Sequence, residues 1–210
     1  MNKKNLIAAI VTPFVILAVC TGIIGCAAAK PVKKFSSLAK LAFSAESVHE
    51  TIDQIKYVQN EVEAELDDGN KIVYPSFGMQ YATIKIKSIS LEAPVFFGST
   101  EDLLREGVCQ YVGSVIIGET GNVVLDAHCN TFFLDLEDVK PGDEIILETS
   151  YGKFTYKAKE STLFKETDNS LISPTQDDRL TLYTCYGNLL GPTEDRLAVI
   201  CEPISKEYFN

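Results

Sequence analysis

From Asn5 to Ala29 the chain runs for 25 residues without a charged side chain. At ~1.5 Å per helical residue that length crosses a hydrocarbon layer of about 30 Å with some tilt, so residues 1–29 are expected to form a transmembrane helix serving as a signal anchor. Pro13 is tolerated inside such a helix. Between Ala45 and Leu66 the apolar residues Val48, Ile52, Ile55, Val62 and Leu66 fall on one helical face, with charged and amide side chains between them. This predicts an amphipathic stalk helix, ended by the turn residues Asp67-Asp68-Gly69-Asn70. A basic juxtamembrane segment and the stalk then occupy residues 30–70, and a folded body residues 71–210.

After Tyr74 the period changes from helical to two. Ala82, Ile84 and Ile86 alternate with Thr83, Lys85 and Lys87, as in a half-buried strand. Further short strands are expected at Pro94–Phe97, Asn122–Ala127, Glu144–Thr149, Phe154–Ser161, Arg179–Cys185 and Arg196–Glu202, with turns at Pro141-Gly142-Asp143 and Ser150-Tyr151-Gly152-Lys153. A short helix, Thr100–Glu106, interrupts them, with Ser99 expected as N-cap and Asp102 as its capping-box partner. Many closely spaced strands with few helices predict a mainly β body, a closed or nearly closed barrel.

Charge divides along the same boundary. The first 40 residues hold six lysines and no acid, whereas the remainder holds 13 basic and 29 acidic residues. A body so acidic repels a phosphate backbone, which excludes nucleic acid as a partner. Lys3 and Lys4 precede the apolar run and Lys30, Lys33, Lys34 and Lys40 follow it, so a count of flanking charges favours a cytoplasmic body. An alternative to the anchor is a lipidated signal, since Ile23-Ile24-Gly25-Cys26 is similar to a bacterial lipobox. Six cysteines in 210 residues are too sparse for a disulfide scaffold and show no zinc-ribbon spacing.

The body offers few groups for chemistry. His128 is its one histidine, at the end of the apolar run Val123-Val124-Leu125; the other, His49, reads as a solvated stalk residue. Of the arginines, Arg105 lies on the capped helix and Arg179 in a turn. Arg196 opens a strand expected to return beside the one that ends in Cys185. A nucleophilic cysteine needs a base or cation beside it and a donor for the oxyanion formed when a carbonyl is attacked.

Thr181-Leu182-Tyr183-Thr184-Cys185, with Arg196-Leu197-Ala198-Val199 downstream, resembles the TLxTC and Arg-Leu-x-Val signature of the sortases. Upstream, Gly118 to His128 and Gly142-Asp143-Glu144-Ile145 extend the resemblance over residues 80–204. It implies an eight-stranded sortase-type β-barrel and a membrane-anchored cysteine transpeptidase of Gram-positive bacteria. By this likeness Cys185 is the nucleophile, His128 the acid/base and Arg196 the cation that orients the signal and stabilises the oxyanion. The implied partners are surface proteins with a C-terminal LPxTG-like sorting signal and a cell-wall precursor amine, with no cofactor and no metal. Both partners lie outside the membrane, so the resemblance places the body extracellularly, against the charge count. Ala127 stands where relatives commonly have glycine, a small change at a strand end.

The Cys-Tyr-Gly link after the nucleophile is most similar to class D. The absence of a second hydrophobic span and of an aromatic-plus-acid lid points away from class C. With ordinary values of ~8.5 for Cys and ~6.5 for His, little of the pair is thiolate with imidazolium near neutrality, which predicts slow turnover and a bell-shaped pH profile. The rival readings are a hydrolytic cysteine peptidase, a tethered binding module in which the cysteines are merely packed, and a zinc site from His128, Cys129, Cys185 and Cys201. Cys109, Cys129 and Cys201 are expected to fill small buried spaces, and strand alternation after His128 aims Cys129 away from the cleft.

Overall fold

The structure is a computed structural model that describes residues 62–66, 68–187 and 193–209. The anchor, the lipobox cysteine and most of the stalk, His49 included, lie outside the described residues. Among the described residues no helix is long and apolar enough to cross a membrane.

Where the stalk enters view it is a strand. Val62–Glu65 (β1) pairs antiparallel with Lys71–Tyr74 (β2), Val62 opposite Tyr74 and Glu65 opposite Lys71. Asp68-Gly69-Asn70 provides turn chemistry as expected, but it joins two strands. Gly69 takes φ +82° and its N–H donates to the Leu66 carbonyl, while Asp68 Oδ1 accepts from the Asn70 N–H. Packing decides against the helix here: Ile72 is fully buried in the barrel core, and Leu66 packs against that core. The four-residue spacing of Val62 and Leu66 is also consistent with an extended chain, in which residues four apart share a face.

Eight strands close the barrel. They are Gln80–Ile86 (β3), Leu91–Phe97 (β4), Val108–Gln110 (β5), Asn122–Asp126 (β6), Glu144–Thr149 (β7), Gly152–Lys165 (β8), Arg179–Cys185 (β9) and Asp195–Tyr208 (β10). Their spatial order is β10-β8-β7-β3-β4-β5-β6-β9, with β9 returning to β10. β4 with β5 and β6 with β9 pair in parallel, and all other barrel neighbours are antiparallel. β5 escapes the periodicity because three residues are too few to show alternation. Glu101–Glu106 (α1) leads into it.

Strand alternation sorts the side chains into two faces. Val123, Leu125 and Ala127 of the β6 segment, Leu180 and Leu182 of β9, and Leu197, Val199 and Cys201 of β10 belong to the core cluster around Phe133 and Phe154. Their intervening neighbours therefore face outward: Asn122, Val124 and Asp126 on β6, Thr181, Tyr183 and Cys185 on β9, and Arg196, Ala198 and Ile200 on β10. The outer face of three adjacent strands thus carries the candidate residues.

Candidate active site

Cys185, the last residue of β9, lies directly opposite Arg196 near the start of β10, and Arg196 lies opposite Phe164 of β8. One step along the sheet, Tyr183 faces Ala198 and is level with Asp126 across the parallel β6–β9 pair. The Tyr183 ring packs edge-on against Phe164, centroids 6.1 Å apart. Ladder geometry alone therefore brings sulfur and guanidinium to the same face, because opposed residues of an antiparallel pair project together.

Arg196 is held rather than free. Its Nη1 donates to the carbonyls of Thr193 (2.6 Å) and Asp195 (3.1 Å), and its Nη2 to Glu166 Oε2 (2.7 Å). Adjacent Glu194 and Asp195 pair with Lys165. Arg196 has an 18% exposed side chain, so its ion pair is shielded from solvent on one side.

His128 follows the end of β6, where the chain stops being extended. The His128 carbonyl accepts from the N–H groups of Thr131 and Phe133, a tight turn anchored by fully buried Phe133 and Leu136. Ala127 fits the crowded strand end, 5% exposed, and its carbonyl accepts 2.7 Å from the Thr184 hydroxyl. His128 is thereby bracketed: the residue before it is tied to Thr184, and the residue after it reaches Cys185. Its Nε2 stands 3.8 Å from Glu101 Oε2, offered by the first turn of α1.

The turn corrects the expectation for Cys129. Alternation would aim it away from the cleft, but a strand rule lapses where the strand ends. The Cys129 thiol neighbours the sulfur of Cys185. That neighbour is the main influence drawing the Cys185 thiol down to about 6; burial opposes it, the Arg196 charge assists it and Glu166 opposes it. The Cys129 thiol is correspondingly pushed up, first by Cys185 beside it and then by burial. All four described cysteines are free.

The cap of α1 is also corrected. Thr100 is the N-cap, its Oγ1 accepting from the Leu103 N–H, which frees Ser99 for another partner. Ser99 Oγ donates to Asp126 Oδ2 at 2.6 Å. The other Asp126 oxygen is buried with no hydrogen-bond partner, and burial raises the carboxyl to about 6 despite the Ser99 bond. Arg105 pairs on the surface with Glu101 and Asp102, as expected of a solvated helix residue. Arg179 is less bland than its turn suggested: it opens β9 and its Nη2 donates to the Leu171 carbonyl, pinning the segment before the strand.

Of the four residues considered for zinc, Cys201 lies in the core, on the opposite face from Cys185. Among the described residues no group of three or more His, Cys, Asp or Glu side chains is arranged to hold a metal ion.

Residues 84–204 match the family model described as the sortase domain, a segment that contains His128, Cys185 and Arg196. The chain belongs to the sortase family. Among sortases, it is similar to Sortase D of Bacillus subtilis (strain 168), 33% identical over 113 residues, which is 53% of this chain. The match spans 57% of that relative's length. A solved sortase A from Listeria monocytogenes is 27% identical with a TM-score of 0.56, covering 62% of this chain and 90% of that one. Sortase E from Streptomyces avermitilis shares the fold, with a TM-score of 0.57 at 24% identity, covering 64% of this chain and 93% of its own. Sortases are cysteine transpeptidases, and the eight-stranded closed barrel described above is that of the family.

Proposed function

We propose that the chain is a membrane-anchored class D-like sortase, acting outside the cell of a Gram-positive bacterium. It cleaves an LPxTG-like sorting signal through a thioester on Cys185 and transfers the surface protein to a cell-wall amine. The observation that carries this reading is the cross-strand pair of Cys185 and Arg196 on the outer face, with the thiol drawn down into the range where thiolate is abundant at neutral pH. The similarity to a Sortase D supports the class.

The steps follow from charge. The Cys185 thiolate attacks the carbonyl before the glycine of the signal, forming a C–S bond and placing negative charge on the oxygen. Arg196, permanently charged and held in place by three hydrogen bonds, stabilises that oxygen. The C–N bond breaks as His128, in its imidazolium form, gives a proton to the departing amine. Neutral imidazole next accepts a proton from the incoming amine; the new C–N bond forms, the C–S bond breaks and thiolate returns. Because the thiolate is already stabilised by neighbours, a larger share of molecules holds it near neutrality than ordinary cysteine and histidine values imply. The pH profile keeps its bell shape, and its acid limb moves down.

The test is mass spectrometry of purified protein incubated with an LPxTG-type peptide. A thioester on Cys185, absent in Cys185→Ala and strongly reduced in His128→Ala and Arg196→Ala, is expected. An added amine should divert the product from free acid to the amide. Free acid alone, whatever amine is present, would make the protein a hydrolase.

A further inference from the structure

Resting on the reading of Cys185 as nucleophile and Arg196 as the partner of the oxyanion, the geometry points to Glu166 as a positioning residue for the same reaction. We propose that its carboxylate fixes the plane of the Arg196 guanidinium, so that the tetrahedral oxygen forms against a donor already aimed at it. The sheet itself sets this contact. The Glu166 N–H donates to the Glu194 carbonyl at 2.8 Å, which carries the β8–β10 ladder one rung past Lys165 and Asp195. Residue 166 therefore stands two places along from Phe164, the residue opposite Arg196. Two places along a strand is the same face, and Phe164 marks that face by its ring contact with Tyr183. Glu166 and Arg196 are thus diagonal neighbours on the outer surface, and Glu166 Oε2 accepts from Arg196 Nη2 at 2.7 Å.

The acidic sequence neighbours of Arg196 are engaged elsewhere: Asp195 and Glu194 pair with Lys165 at 2.8 and 3.9 Å. Among the described residues, Glu166 is the carboxylate that hydrogen-bonds the guanidinium. The carbonyls of Thr193 and Asp195 hold Nη1, but a fork held at one nitrogen is free to swivel, and Glu166 on Nη2 supplies the second point. An ion pair with a half-exposed partner contributes little to stability. Its effect lies in orientation, since a displacement of about 1 Å at a reacting group lowers a rate by about 100-fold. The same carboxylate acts with the opposite sign on the resting enzyme, where its charge raises the Cys185 thiol against the pull of Arg196. The two effects are separable, because orientation needs the reach of the side chain and the electrostatic effect needs its ionisation.

The experiment compares wild type with Glu166→Gln, which keeps the reach and removes the charge, and Glu166→Asp, which keeps the charge and shortens the reach. Two readouts are taken on each: kcat and KM for transfer of an LPxTG-type peptide to an added amine, and the pH midpoint of Cys185 alkylation by iodoacetamide. The other titratable and charged neighbours of the sulfur, Cys129, Arg196 and Asp126, are the same throughout. Glu166→Asp should lower kcat by about tenfold, with KM within about twofold and the alkylation midpoint near that of wild type. Glu166→Gln should hold kcat within about threefold while its midpoint falls by a few tenths of a unit. Melts of both should stay within about 2 °C of wild type, since the position is half-exposed. An aspartate variant as fast as wild type, or a glutamine variant that loses as much kcat as the aspartate one, would overturn the proposal. So would a fall in kcat matched by an equal fall in alkylation rate or by an early melt, which marks general damage instead of lost orientation. A wild type that gives no transfer product overturns the functional reading and this role with it, whereas transfer indifferent to residue 166 removes this role alone.

Discussion

Two cysteines on neighbouring strands occupy opposite worlds. Cys201 of β10 pairs with Leu180 and points into the core, where burial alone pushes its thiol up to about 12. Cys185 of β9 pairs with Arg196 and points outward, where its thiol is drawn down although burial raises it too. The backbone is the same ladder, and the side chain is the same atom set. What differs is whether a donor and a cation are available to repay the loss of water around sulfur. Reactivity in this barrel is therefore a property of a face and an end of the sheet.

Several substitutions would break or sharpen this contrast, beginning with the largest effect. Cys185→Ala should abolish thioester formation and transfer to background, measured with a peptide signal and an amine. Arg196→Gln should lower kcat/KM by about 100-fold through loss of the oxyanion partner, and it should raise the pH midpoint of Cys185 alkylation. An unchanged midpoint would mean that the cation is not felt at the sulfur.

Asp126→Asn probes the cost of the outward face. The carboxyl titrates near 4 when unfolded and at about 6 when folded, so the unfolded chain gives up its proton first. Its burial therefore costs nothing below pH 4, costs progressively more from 4 to 6, and costs on the order of 3 kcal/mol above 6. The variant should melt higher than wild type at pH 7 and coincide with it near pH 4, by calorimetry. Glu166→Gln should move the Cys185 alkylation midpoint down by a few tenths of a unit, because it removes a negative charge that opposes the thiolate. Smallest in function is Cys201→Ala: kcat/KM should stay within about twofold, while denaturant titration should show a loss of roughly 1 kcal/mol from the lost packing. Equal damage to activity from Cys201→Ala and Cys185→Ala would erase the contrast.

Much of the barrel was legible in the chain because its strands are strictly amphipathic. Ile84 and Ile86, Val123 and Leu125, and Leu180 and Leu182 announce both the extended backbone and the inward face. The pairing of Cys185 with Arg196 followed from two strands returning on each other. The departures share a cause: in each, a contact distant in sequence overrode a local rule. Val62 and Leu66 fit a helical stripe, yet Val62 pairs with Tyr74 of β2 and Leu66 packs against the barrel core. Ser99 had the chemistry of a cap but was taken by Asp126, leaving Thr100 to cap α1. Cys129 followed strand alternation on paper, yet the turn held by Phe133 ended the strand one step earlier. Glu166 has no local signal at all, since its partnership with Arg196 spans 30 residues of chain.

The way β9 meets β10 carries a consequence for how such a protein can vary. Sulfur and guanidinium keep their separation because rungs of backbone hydrogen bonds, continued by the Tyr186 N–H to the Asp195 carbonyl, lock one strand against the other. In the polypeptide that joins them Thr193 adds to that hold, its carbonyl accepting from Arg196 and its hydroxyl donating to the Tyr186 carbonyl. Deleting a single residue inside either strand would turn one reacting partner into the interior. The rungs themselves thus permit almost no change of length.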